Sequence, residues 1–213
     1  MLDKEAVRNL LEPFEICLSD EAIDKLLVYL EMLLRWNRKI NLTSISDPAE
    51  CVIRNFGESL LISKSLPLKG RLLDIGSGAG FPGLALKLIA TDLQVVLLEP
   101  VGKKRVFLKE VSRSCGFSGI RVEGKRLQEA SELLRDCPFD LVTARAVGGM
   151  ETLIPAAECL LKDGGCLCLW VGSGQVDEIR RAGTGLQWRE PVAIPLSRQR
   201  QILIGTREIV LRK

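Results

Sequence analysis

The sequence predicts an α/β fold: a doubly wound, mostly parallel sheet of about seven strands, with an antiparallel last strand and a helical N-terminal extension. Three observations predict it. From Arg71 onward, short apolar runs alternate with helical stretches, the rhythm of β-α units whose parallel strands are covered on both faces. Before that point, apolar residues recur only at helical spacing, which gives amphipathic helices. Near the end, Trp188–Ile194 and Gln201–Val210 are strand-like with no room for a helix between them. Such neighbours pair antiparallel, because a parallel pair needs a crossover.

The elements follow in order. Ser19 can cap a helix whose first turn holds Asp20 and Glu21, favourable at the positive end of the helix dipole. Ile23, Leu26, Leu27, Leu30, Leu33 and Leu34 give this helix one apolar face, and Arg35, Arg38 and Lys39 close it. A polar connector from Asn41 to Asp47-Pro48 leads to a short helix around Cys51–Lys64. Leu66-Pro67-Leu68-Lys69-Gly70 then reads as a boundary. Residues 1–69 are thus a helical N-terminal region, and residues 70–213 the α/β domain. Strands are expected at Arg71–Ile75, Gln94–Leu98, Gly119–Glu123, Phe139–Thr143 and Cys166–Val171. Helices are expected at Gly83–Ala90, Val101–Cys115, Leu127–Leu134 and Gly148–Leu161.

Composition narrows the chemistry. The 213 residues are 46% hydrophobic and 27% charged, enough for a substantial core. No apolar run approaches the ~18 residues of a membrane helix, and Met1-Leu2-Asp3-Lys4-Glu5 lacks the basic-then-apolar pattern expected of a signal peptide. A cytoplasmic monomer is expected, with no membrane partner. Histidine is absent, which excludes a Ser-His-Asp triad, a Cys-His dyad, histidine metal ligands and an imidazole shuttle. The cysteines, Cys17, Cys51, Cys115, Cys137, Cys159, Cys166 and Cys168, include no Cys-x-x-Cys pair. They are read as reduced, small apolar residues, with no metal site. The net charge of +3 does not by itself announce a nucleic-acid partner, so the distribution of charge matters more.

One motif carries chemistry. Asp74-Ile75-Gly76-Ser77-Gly78-Ala79-Gly80-Phe81-Pro82-Gly83 follows the first strand. Glycines let the chain turn sharply and let a ligand approach the backbone. About twenty residues on, Glu99 ends the second strand, where a carboxylate can accept both hydroxyls of a ribose. The third glycine of the dinucleotide pattern is replaced by Phe81, and Asp74 would sit near any diphosphate. That carboxylate instead suits an ammonium or sulfonium ligand without phosphate. S-adenosylmethionine is such a ligand, so the residues favour a class I methyltransferase of Rossmann-like architecture over a dehydrogenase. In open α/β sheets ligands gather beyond the carboxyl ends of strands. Asp74, Glu99, Leu127, Gln128 and Arg145 all end a strand or lie just past one.

The run Leu73–Gly83, with its Phe-Pro-Gly ending, resembles the cofactor loop of the glucose-inhibited division protein B family, the 16S ribosomal RNA guanine-N7 methyltransferases. Asn41-Leu42-Thr43, Gly102–Leu108 and Thr143-Ala144-Arg145-Ala146 match the same family. The resemblance covers nearly the whole chain. It implies that Gly76, Phe81, Leu127, Gln128 and Arg145 contact S-adenosylmethionine; Gly78 belongs to the same loop. Two positions depart from the family pattern: Asn55 stands where histidine is usual, and Val171 where lysine precedes a glycine.

The expected activity is methyl transfer to guanine N7 in small-subunit ribosomal RNA. N7 carries a lone pair and no proton at neutral pH, so no general base is needed and orientation is the main task. Arg145 is the expected positioning residue. Phosphates dominate RNA affinity, which points to Lys103, Lys104 and Arg105, with Lys109 beside them. Arg35, Arg38, Lys39, Arg198 and Arg200 extend the candidate surface. The alternatives are a methyltransferase acting on another substrate and a ribosome-assembly factor that only senses S-adenosylmethionine.

Overall fold

The computed structural model describes residues 2–134, 138–182 and 185–208. The N-terminal region is helical as expected. Helix α1 (Lys4–Leu11) is capped by Asp3, and α2 (Asp20–Ile40) by Ser19, whose Oγ accepts from the Ala22 amide at 3.2 Å. Asn41 ends α2 in the left-handed conformation, as an asparagine tolerates. Helix α3 (Pro48–Cys51) runs through a π turn, Val52–Gly57, into α4 (Glu58–Leu60) and a 3-10 turn ending at Lys64.

The sheet contains eight strands among the described residues: β1 (Arg71–Ile75), β2 (Gln94–Leu98), β3 (Ile120–Glu123), β4 (Phe139–Arg145), β5 (Leu161–Gly172), β6 (Leu186–Trp188), β7 (Val192–Ala193) and β8 (Arg200–Arg207). Their order is β3-β2-β1-β4-β5-β8-β6, with β7 also on β8. The first five are parallel, and β8 is antiparallel to both β5 and β6. The antiparallel end is as expected; β8 is inserted beside β5, which leaves β6 outermost. Residues Ile209 and Val210 of the expected last strand lie outside the described residues. So does Cys137, while Cys51, Cys115, Cys166 and Cys168 are buried free thiols.

Strand alternation divides the core. Leu72, Leu97, Leu141, Cys168 and Ile202 point to one face, where they pack with α2, the α3–α4 segment and α5 (Gly102–Ser114). Leu73, Leu98, Val142, Leu167 and Leu203 point to the other, under α6 (Leu127–Leu134), α7 (Met150–Glu158) and α8 (Val176–Ala182). The N-terminal helices thus share one apolar layer with the sheet.

Two local expectations are corrected. Gly83–Ala90 forms only a 3-10 turn, Ala85–Leu88, instead of an α-helix. Its amides bond irregularly, Ala85 to the Gly80 carbonyl and Lys87 to that of Leu84. The buried Lys87 ammonium draws the end of the turn in by donating to the Thr91 and Leu93 carbonyls. The strand expected at Cys166–Val171 begins earlier, at Leu161, and within this added stretch Gly164 adopts φ +75° and the register to β4 shifts, the signature of a bulge.

Candidate active site

The chain runs outward from β1 to β3 and then returns to β4 on the other side of β1. Strand order therefore reverses between β1 and β4, the place where open α/β sheets bind ligands. The glycine turn after β1 faces Ala146–Gly149 after β4 across this point. Gly76 has φ +68°, and a Cβ there would lie 2.9 Å from Val147 Cγ2. Only glycine fits both demands.

Two cavities meet at Gly76. The smaller, about 260 Å³, is lined by Ile75, Leu98, Pro100, Leu127, Leu153 and Gln128, among others. It is a mainly apolar slot, with Lys125, Arg126 and Gln128 also in its lining, and suits a flat heterocycle. The larger, about 440 Å³, runs over Gly76, Gly78 and Phe81 to Thr43, Asn55, Glu58, Lys104, Arg145 and Arg200. One wall of it is N-terminal, the other belongs to the sheet.

Glu99, 4% exposed, lines neither cavity; it lies under the glycine turn that joins them. Its Oε2 accepts from the Gly78 amide and its Oε1 from the Val101 amide, both at 2.8 Å. A carboxylate has further lone pairs on each oxygen, so these bonds fix its orientation and leave acceptor capacity for two hydroxyls. If Glu99 holds a ribose, Glu99→Ala should weaken S-adenosylmethionine binding by about 1.5–3 kcal/mol, the range for hydrogen bonds to a charged group. Calorimetry on the folded variant reads this directly, and an unchanged affinity removes Glu99 from the site.

Asp74 is placed differently from expectation. It is fully buried under the loop and is absent from the lining of either cavity. Its Oδ1 accepts from Thr143 Oγ1 at 2.7 Å, and its Oδ2 is buried without a hydrogen bond. The side chain closes on Gly83, where a Cβ would approach to 2.6 Å. Asp74 braces the turn from below instead of facing a ligand, because strand alternation turns it inward. Burial pushes its carboxyl up from 3.8 to about 6, against the opposing pull of Thr143, Ser77, the Gly83 amide and the Arg145 charge.

The consequence for stability has a definite sign. The folded state holds the Asp74 proton more tightly than the unfolded chain does, so this group favours folding at low pH. Its contribution falls by ~3 kcal/mol as pH rises from about 4 to about 6, then levels off. The stability difference between wild type and Asp74→Asn, followed by denaturant unfolding across pH 4–8, should show this slope. A difference independent of pH contradicts the assignment.

Arg145, at the end of β4, is half-buried and donates to Asn55 Oδ1 at 3.2 Å and Ser59 Oγ at 3.4 Å. Burial holds its pKa below the usual guanidinium range, an effect that Glu58 and Asp74 oppose. Asn55 therefore orients the arginine from the N-terminal wall, and Val171 lines the same cavity. Lys103 is exposed, and Lys104 reaches the rim of the larger cavity. Arg105 turns back: it donates to the Glu99 carbonyl at 3.1 Å and the Pro100 carbonyl at 2.6 Å. Its guanidinium, through Nη1, fixes the chain after β2, a structural task beside the phosphate contact expected.

Two residues escaped the sequence reading. Tyr29 of α2 is fully buried and donates to the Ala79 carbonyl at 2.5 Å. It stacks on Phe81 at 5.3 Å and meets Phe56 edge-on. Glu58 is 2% exposed, with its Oε1 paired to Arg200 Nη2 at 2.8 Å and Nε at 3.1 Å. A polar residue interrupting the apolar rhythm of a helix was the available signal at both positions.

This sheet order, with a glycine turn at the switch point and a terminal acid on the neighbouring strand, defines a Rossmann-like methyltransferase fold. Solved structures agree on the fold: a methyltransferase from Pyrococcus furiosus is 17% identical, covers 84% of this chain and 96% of its own, and superposes with a TM-score of 0.60. The ribosomal protein L11 methylase of Lactobacillus delbrueckii subsp. bulgaricus is 20% identical over 73% of this chain and 79% of its own, with a TM-score of 0.58. More specifically, residues 22–203 match the model of the GidB family, rRNA small subunit methyltransferase G, and the chain belongs to that family. Relatives named ribosomal RNA small subunit methyltransferase G include one from Syntrophotalea carbinolica, 34% identical over 93% of this chain and 94% of its own. Another, from Halorhodospira halophila, is 38% identical over 84% of this chain and 83% of its own.

Proposed function

We propose that this protein transfers a methyl group from S-adenosyl-L-methionine to N7 of a guanine in 16S ribosomal RNA. The observation that carries the reading is the pair of cavities joined at Gly76 in a chain of this family. The residues fit the cofactor: the apolar slot with Leu127 and Gln128 suits adenine, Glu99 suits the ribose, and the turn over Gly76 and Gly78 admits the methionyl part where side chains would obstruct it. When bound, the cofactor supplies an electrophilic methyl group on a sulfonium.

The chain's own task is orientation. Arg145, steadied by Asn55 and Ser59, holds a fixed positive charge at the cavity between cofactor and acceptor. Phe81 and the apolar layer beneath it exclude water from the glycine turn. Since N7 has no proton to lose, single-turnover transfer should show no rising limb between about pH 6.5 and 8. A limb in that range, with RNA binding and folding constant, means that an acid–base group takes part.

The acceptor is held by cations around the mouth. Lys103 and Lys104 are placed for phosphates, which position RNA without reading its sequence. N7 lies in the deep major groove of A-form RNA, so the target guanine must be presented in an open region. The deciding experiment maps N7-methylguanosine in small-subunit RNA incubated with the purified protein and S-adenosylmethionine. One guanine that gains the methyl only when enzyme and cofactor are both present is the expected result. Cofactor binding without transfer to any ribosomal substrate overturns the reading.

A further inference from the structure

The larger cavity is lined by four cations among the described residues, Arg54, Lys104, Arg145 and Arg200, and by a single carboxylate, Glu58. That imbalance suits phosphate but poorly suits a purine that gains positive charge on reacting. When N7 gives its lone pair to a methyl group, the electron pair of the broken S–C bond stays on sulfur. The positive charge then passes to the ring. A cavity holding only guanidinium and ammonium groups would oppose this.

Glu58 has the placement to counter it. Arg200 binds its Oε1 through two nitrogens, while Oε2 accepts no hydrogen bond among the described residues and the residue lines the cavity. As a purely structural tie this is a costly arrangement, since a buried carboxylate is stable only when its remaining lone pairs are also satisfied. Donors surround it: Arg145 reaches from the sheet wall to Asn55 and Ser59, which flank Glu58, and Arg54, four residues before Glu58 on the same segment, pairs with Glu50. One free acceptor oxygen with guanidinium donors beside it is the complement of guanine, which offers N1–H and N2–H next to the O6 acceptor. Adenine reverses N1 and the exocyclic group, and would set its N1 lone pair against the carboxylate.

We propose that the larger cavity is the acceptor-base pocket, with Glu58 reading the N1–H and N2–H edge of guanine and balancing the charge that develops on the ring. This rests on the guanine-N7 reading above and adds the residue that makes it specific for guanine. The bonds to Glu58 strengthen as the ring becomes cationic, so they act more on the transition state than on the ground state.

The test uses the full-length protein with unmethylated small-subunit particles. The nucleotide methylated by wild type is mapped first; if none gains a methyl at N7, the functional reading fails before any variant is made. Particles are then reconstituted with RNA carrying either guanine or inosine, which lacks the N2 amino group, at that nucleotide. Wild type should prefer guanine, and Glu58→Gln should lower kcat/KM on guanine by about thirtyfold, the equivalent of a hydrogen bond to a charged group. The guanine-to-inosine ratio should fall severalfold in Glu58→Gln, with S-adenosylmethionine affinity unchanged by calorimetry. A purely structural role would lower both substrates alike and leave that ratio intact, and this result overturns the proposal. If Glu58→Gln does not fold, Glu58→Asp gives the same comparison with the charge and the Arg200 partner kept but the carboxylate withdrawn. An unchanged ratio in that variant is equally decisive against it.

Discussion

Gly80→Ala should collapse the glycine turn and destabilise the protein by about 3 kcal/mol, combining the cost of a left-handed alanine with that of overpacking a closed core. Gly80 has φ +91°, and a Cβ there would stand 2.1 Å from the Tyr29 hydroxyl and 3.0 Å from Leu84 Cβ. Neither neighbour can retreat, since Tyr29 is wedged between Phe56, Phe81 and Phe107 and bonded to the Ala79 carbonyl. Thermal or denaturant unfolding gives the stability change, and S-adenosylmethionine titration should show binding lost with it. The double variant Gly80→Ala, Tyr29→Phe separates the causes. Removing the hydroxyl relieves that contact but gives up its bond to the Ala79 carbonyl and leaves the backbone strain, so only part of the loss should return. Full stability in Gly80→Ala alone contradicts the packing described around Tyr29.

Arg145→Ala should lower methyl transfer by roughly a hundredfold, the scale expected when a reacting pair loses its alignment. The effect on ribosomal substrate should not change with salt. The lysines at the mouth should behave in the opposite way. Lys103→Ala with Lys104→Ala should leave cofactor affinity intact, raise the KM for the ribosomal particle, and flatten its dependence on ionic strength, because each lost phosphate contact removes a counterion-release term. Assays of both variants at two salt concentrations decide between the roles. If the lysine pair has no effect at either salt, the RNA lies elsewhere, along Arg35, Arg38 and Lys39. Arg105→Ala should resemble a Glu99 variant more than a lysine variant, since its guanidinium binds the consecutive carbonyls of Glu99 and Pro100 just after β2.

The sheet was legible because each strand is a short apolar run set off by a turn, and because the alternation in β1 and β2 places Leu72 and Leu97 on one face and Leu73 and Leu98 on the other. Ser19 as a helix cap and Glu99 as a terminal acid were equally plain, each fixed by local chemistry. The turn at Ala85–Leu88 was not legible. Its helical pattern is overridden by the buried Lys87 ammonium, whose partners Thr91 and Leu93 lie beyond the segment itself. Asp74 was read as facing the ligand because it adjoins the glycines, yet strand alternation directs it to Thr143 and Gly83. Glu58 and Tyr29 act through residues far away in sequence, Arg200 and Ala79. No local pattern announces a contact of that range.

The hydrogen bond from Tyr29 to Ala79 spans fifty residues of chain, and this sets an order on the molecule's making. During synthesis domains generally acquire structure from the N-terminal end, so α2 leaves the exit tunnel well before the glycine turn exists. Its apolar face, Ile23, Leu26, Leu30 and Leu33, then waits for a sheet not yet translated. The turn, once made, meets a helix already at hand, and its carbonyl finds a donor in place. Until then that apolar face is exposed, and exposed hydrophobic surface is what makes an incomplete chain prone to associate.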